Sequence, residues 1–163
     1  MRHIAIATLA AVGIVSTLPA QAQVRTEKNI SLALASEIAA ASVEACTAKG
    51  YAVTATVVDR AGTVRAVLRA DNAGVHTVDA SRAKAYTSAS TRTPTGTILE
   101  NVQKTPAAQY LPNIEGFLVV AGGVPIKSGN DVIGAVGVGG APGGHLDEQC
   151  AAAALDKVKD KLI

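Results

Sequence analysis

Hydrophobic and polar positions change period several times along this chain, and each change marks an element. Leu34, Ile38, Ala41, Ala45 and Ala48 recur at helical spacing with Glu37 and Glu44 off the stripe. Ser31 stands as an N-cap and Gly50 as a stop, so a first helix is predicted here. From Ala52 to Asp59 and from Thr63 to Ala70 the chain is β-rich around Asp59-Arg60-Ala61-Gly62, which reads as a hairpin. In its second strand Val64, Ala66 and Leu68 share one face, assigned to the core, and Arg65, Val67 and Arg69 the other.

The helical period returns from Val75 to Ser90 and is broken at Pro94, which disfavours helix in the residue before it. Thr97 and Glu100 have the spacing of a capping box for a short helix to about Lys104. Thr105 to Glu115, with Pro106 and Pro112, reads as a crossing loop. Gly116 to Ala121 resumes β character and leads into a glycine-rich hairpin folded at Ser128-Gly129-Asn130-Asp131. Gly134 and Gly137 interleave with Ile133, Val136 and Val138, the mark of a strand that another segment approaches closely. From His145 to Leu162 a final helix is expected, with Leu146, Cys150, Ala153, Ala154, Val158 and Leu162 as its stripe. Asp147 and Glu148 suit its positive end, and Lys157, Lys159 and Lys161 its negative one. Consecutive hairpins among helices argue for an α+β fold: an antiparallel sheet of about five strands flanked by helices.

The first residues change the picture. Met1-Arg2-His3, the apolar run Ile4 to Val15, and Ser16 to Ala22 have the charged, apolar and small-residue zones of a secretory signal. Cleavage after Ala22 is expected, leaving 23–163 as one domain in the periplasm or outside the cell. The apolar run is shorter than the roughly 20 residues that cross a bilayer, so no stable membrane span is expected after processing. An uncleaved anchor is the alternative. Export bears on Cys46 and Cys150: they form a disulfide in an oxidising compartment, or pack as two buried thiols, and export favours the bridge.

Composition then removes several functions. A net charge of +2 and an aromatic set of three Tyr and one Phe leave neither the basic patch nor the stacking platform of a nucleic-acid binder. No Cys/His cluster has zinc spacing. The run Gly137 to Gly144 lacks the Lys-Ser/Thr of a phosphate loop, and Pro142 interrupts a dinucleotide fingerprint. No G-x-S-x-G nucleophile motif occurs. His76 and His145 remain as accessible imidazoles, each at a loop-to-helix junction beside glycine; the plain reading of both is a solvated cap residue.

Three segments in order carry a resemblance: Val57-Val58-Asp59-Arg60-Ala61-Gly62, Lys84-Ala85-Tyr86-Thr87, and the hairpin Gly122 to Gly140 with the acidic start of the last helix. From about Ser31 to Leu155 the chain resembles the GlcG/HbpS-like family, and also the C-terminal domain of PduO-type proteins. The resemblance implies a profilin-like fold, haem or related tetrapyrrole as cofactor, and closed homo-oligomers. The resemblance leaves the iron ligand open; from its setting after the Gly139 to Gly144 run, where little side chain obstructs a flat macrocycle, His145 is the leading candidate, with Asp147 available to accept from its ring. His76 is the second candidate. Lys84, Tyr86 and Thr87 match the family's helical element and stand as pocket wall or oxygen ligand, against the plain reading of a helix with Lys84 and Arg82 exposed. Arg65 and Arg69 are either propionate partners or surface residues. Ala70-Asp71-Asn72-Ala73-Gly74 and Pro142-Gly143-Gly144-His145 depart from the family pattern. The expected function is therefore an exported haem- or tetrapyrrole-binding protein acting in carriage, storage or redox sensing. The alternatives are a small-molecule catabolic enzyme using the same pocket, or a structural oligomer-forming module.

Overall fold

The computed structural model describes residues 24–163; the expected leader, residues 1–22, lies outside the described residues. The elements follow as α1 (Leu32–Thr47), β1 (Thr54–Asp59), β2 (Val64–Arg69), α2 (Thr77–Thr91), α3 (Thr95–Lys104), β3 (Gly123–Ser128), β4 (Asp131–Gly139) and α4 (Gly144–Lys157). Short 3-10 turns cover Pro106–Ala108, Leu111–Asn113 and Lys159–Lys161. Among the described residues the strands form one antiparallel sheet in the order β2-β1-β4-β3.

The sheet thus has four strands, not about five. Gly116 to Ala121 is the segment that differs. The Phe117 N–H donates to Ile114 O and the Leu118 N–H to Thr87 Oγ1 at 2.9 Å, so the segment is anchored to its own turn and to α2. These backbone donors are satisfied without a ladder partner.

The two faces of the sheet differ in chemistry. Ala55, Val57, Val136, Val138 and Ile126 turn one way, onto α1 and α4, and form the main core with Ile38, Ala39, Ala151 and Ala154. Each fully buried Val or Ile contributes roughly 1.5–3 kcal/mol. Cys46 of α1 and Cys150 of α4 are joined there by a disulfide with Cα atoms 5.4 Å apart. The opposite face carries Thr54, Thr56 and Val58 beside Gly139, Gly137 and Ala135, and α2 lies on it. Thr54 bonds Thr77 at 2.7 Å and Thr56 bonds Ser81 at 2.8 Å, both buried hydroxyl pairs. A Cβ at Gly137 would collide with Ser81 O and Ala85 N. The interleaved glycines are therefore where helix backbone meets strand backbone.

The edge strand β2 differs from its sequence pattern. Ala66 packs against the core, but Val64 and Leu68, expected on the same core face, stay 42% and 36% exposed on this edge strand. The capping box also does not form. Pro94 is the N-cap of α3, which starts two residues before Thr97, and the Gly96 N–H is capped by Glu148 Oε2 at 3.1 Å instead. A carboxylate from α4 replaces the local one.

Candidate functional site

Where α2, the Gly139 to Gly144 loop and the first turn of α4 meet, a cleft of about 370 Å³ opens. Its walls are Ala80, Leu118, Val120, Ala141 and Pro142, its loop side is glycine backbone, and His76 stands at its edge. Gly140, with φ of +133°, turns the chain out of β4 where a side chain would strike Ala52 O. The loop consequently exposes backbone and little else to a ligand.

Lys84 and Asp147 border the same cleft from below. Lys84 is buried, contrary to the plain reading of α2, whereas Arg82 is exposed. The Lys84 ammonium donates to Asp147 Oδ2 at 2.8 Å and to Val138 O at 3.0 Å, and Asp147 Oδ1 accepts from the Ala141 N–H at 2.9 Å. Both charges are compensated, so neither is free to recognise an ionic group on a ligand. Asp147 serves Lys84 and the loop and is bonded to neither histidine.

His145 is one residue into α4 but borders a different cleft, of about 480 Å³, with Gly96, Leu99, Glu100, Ala121 and Glu148. Its ring stands over Gly143, where a Cβ would lie 2.8 Å from Cε1. Leu118 and Val120 border the first cleft and Ala121 the second, so this segment is the partition between them. Glu148 holds the partition, accepting from the Gly122 N–H as well as from Gly96, each at 3.1 Å.

The remaining candidates fall elsewhere. Tyr86 lies against Gly62 and Gly116 and meets Phe117 edge-on, 6.1 Å between ring centres. Thr87 is buried, donating to Ala83 O and accepting from Leu118 N–H. Arg69 donates to Ala73 O, while Arg65 is exposed on β2. The structure thus brings His76, Lys84, Asp147 and the glycine loop together, and leaves His145 and Tyr86 outside that group. Leu118 and Val120 were not legible as cleft walls; the Gly122-Gly123 pair after them was the available signal of a tightly packed crossing. Among the described residues no group of three or more His, Cys, Asp or Glu side chains is placed to hold a metal ion.

These features define a class of small α+β domain: one antiparallel sheet covered on both faces, with a glycine-walled cleft between its central and closing helices. Within that class the chain belongs to the family described as haem degrading protein HbpS-like, whose model matches residues 30–156. A crystal structure of a double mutant of Streptomyces reticuli HbpS is 34% identical, covers 91% of this chain and 98% of that one, and has a TM-score of 0.77. Klebsiella pneumoniae protein ORFY is also 34% identical, with 86% and 96% covered and a TM-score of 0.75. A crystal structure of a PduOC:heme complex, 22% identical with 78% and 94% covered and a TM-score of 0.73, shares the fold. In sequence, an uncharacterized 15.0 kDa protein of the dhaT-dhaS intergenic region of Citrobacter freundii is 36% identical over 115 residues, 68% of this chain and 80% of that one.

Proposed function

We propose that this protein is an exported haem- or tetrapyrrole-binding protein on a profilin-like fold, acting in carriage, storage or redox sensing. The observation that carries the reading is the cleft in which a glycine loop and apolar walls face one accessible imidazole, His76. Its volume is within the range of cofactor pockets, roughly 300–1,000 Å³. A neutral imidazole is a ligand type that haem iron accepts, and bound haem would supply iron-centred redox chemistry. The residues present suit the group. Leu118, Val120 and Ala80 would hold an apolar macrocycle beside the glycine loop, and the compensated Lys84–Asp147 pair would offer its carboxylates no ionic partner. The geometry favours His76 over His145, because only His76 borders the loop's cleft. The family description and the haem complex of a protein of the same fold support the choice of cofactor.

Haem titration of the mature protein tests this. One saturable site per chain is expected, with a Soret band that His76→Ala shifts and weakens by at least tenfold in affinity while His145→Ala leaves it near the parent. Reversal of the two variants would move the site to the Glu148 cleft; no uptake by the parent would end the reading. Peroxide-dependent loss of the Soret band, faster than for free haem and abolished in His76→Ala, would extend the role to haem degradation.

Export and homo-oligomerisation belong to the same proposal. The Cys46–Cys150 bridge suits an oxidising compartment, and the exposed Val64, Val67 and Leu68 on the β2 edge suit a subunit contact. Native mass spectrometry of periplasmic protein is expected to give a multiple of a subunit beginning at Gln23. A monomer, or a retained leader, would count against the respective part.

A further inference from the structure

Among the described residues every buried side-chain nitrogen and oxygen has a partner, and one of these partnerships has an energetic character unlike the rest. Lys84 and Asp147 keep 5% and 3% of their side-chain surface exposed. Withdrawing two charges from water carries a penalty of several kcal/mol per ion, and well-packed apolar replacements of such pairs are often as stable or more so. Stability alone does not account for a buried pair at this place.

We propose that the Lys84–Asp147 pair is the positioning device of the cleft, holding the Gly139 to Gly144 loop in its ligand-accepting shape before any ligand arrives. This rests on reading that cleft as the binding site. Among the described residues, the Ala141 N–H to Asp147 Oδ1 bond is the one side-chain hydrogen bond onto the loop. Lys84 engages the other Asp147 oxygen and also Val138 O, the last carbonyl before the loop. One ammonium therefore sets the root of the loop and, through Asp147, the Ala141 amide within it. Gly122 leaves room for this: with φ of +124°, a Cβ there would come within 2.9 Å of both Lys84 Nζ and Asp147 Cβ. A loop of this composition has many conformations to lose on binding, and fixing it beforehand removes that loss from the binding step.

The test compares Lys84→Met, Asp147→Asn and the double variant by thermal unfolding, amide hydrogen exchange of the unliganded protein, and haem titration. Either single change leaves a lone buried charge or an unsupported acceptor and is expected to lower Tm. The double variant holds no buried charge and is expected to recover most of it. The carboxamide at position 147 then lacks the ammonium that would orient it, so Ala141 exchange rises at least tenfold and haem affinity falls at least tenfold despite the recovered Tm. A double variant with parental exchange and parental affinity would overturn the proposal, since the pair would then be structural only. Fast exchange with unchanged affinity would overturn the loop's role in binding; if His76→Ala were silent too, the cleft assignment itself would fall. Should the double variant not fold, the parent decides: an Ala141 amide that exchanges as freely as an unprotected loop amide overturns the proposal.

Discussion

Replacing Gly137 by alanine perturbs the contact on which α2, and with it Lys84, is seated. The added methyl meets main chain, Ser81 O and Ala85 N, rather than a side chain that can turn away, so α2 must lift or β4 must bend. Overpacking costs typically about 1–3 kcal/mol, and rigid backbone on the far side puts this site at the upper end. Lifting α2 also stretches the buried Thr54–Thr77 and Thr56–Ser81 bonds, each worth about 1 kcal/mol. The expected loss is about 3–5 kcal/mol, or roughly 10–20 °C in Tm for a domain of this size, with haem affinity lowered because the cleft floor moves with α2. Gly139→Ala is the internal control. Its methyl points onto the same helix but meets Ser81 N at 3.4 Å and the Ala80 methyl at 3.5 Å, ordinary contacts. It should stay within about 1 kcal/mol of the parent. Urea unfolding of both variants with unchanged slope is the assay. Equal losses in the two, or a Gly137→Ala loss below about 1 kcal/mol, would refute the backbone-contact argument.

Removing the Cys46–Cys150 bridge by a double serine substitution frees a loop with a sequence separation of 104. The chain-entropy model gives a loss of about 4–5 kcal/mol, read by urea unfolding; a loss under about 1 kcal/mol would show that the bridge adds little to the helix packing around it. The Glu44 carboxyl is held below its ordinary 4.5 because the Lys157 ammonium donates a hydrogen bond to it and adds its positive charge, against a small opposing effect of burial. A carboxyl lowered on folding stabilises above its unfolded value, so this contribution is present above about pH 4.5 and fades as pH falls through the folded value. Carboxyl NMR titration should find Glu44 returned to its ordinary value in Lys157→Met, and an unmoved titration would exclude Lys157 as the cause.

Much of the fold was legible because it depends on local periodicity. The stripe Leu34, Ile38 and Ala41 placed α1, and the turn formers at Asp59–Gly62 and Ser128–Asp131 placed both hairpins. The strand expected at Gly116 to Ala121 failed where local preference is weak evidence: its donors found Ile114 O and the Thr87 hydroxyl, and no ladder was required. The capping box at Thr97 failed for the same kind of reason, since Glu148 supplies the cap from a distant helix.

The candidate site divides along the same line. Residue type and position alone singled out the candidates, His76, His145, Lys84, Tyr86, Thr87 and Asp147, and the glycine run beside them as a place of close approach. Tertiary structure decided their partnership. The Gly122-Gly123 crossing places Leu118, Val120 and Ala121 between the two histidines, and the packing of α2 on Gly137 carries Lys84 down onto Asp147. Residues 63 apart share no local signal, because a buried charge pair is created only when two separately formed elements exclude water from the space between them.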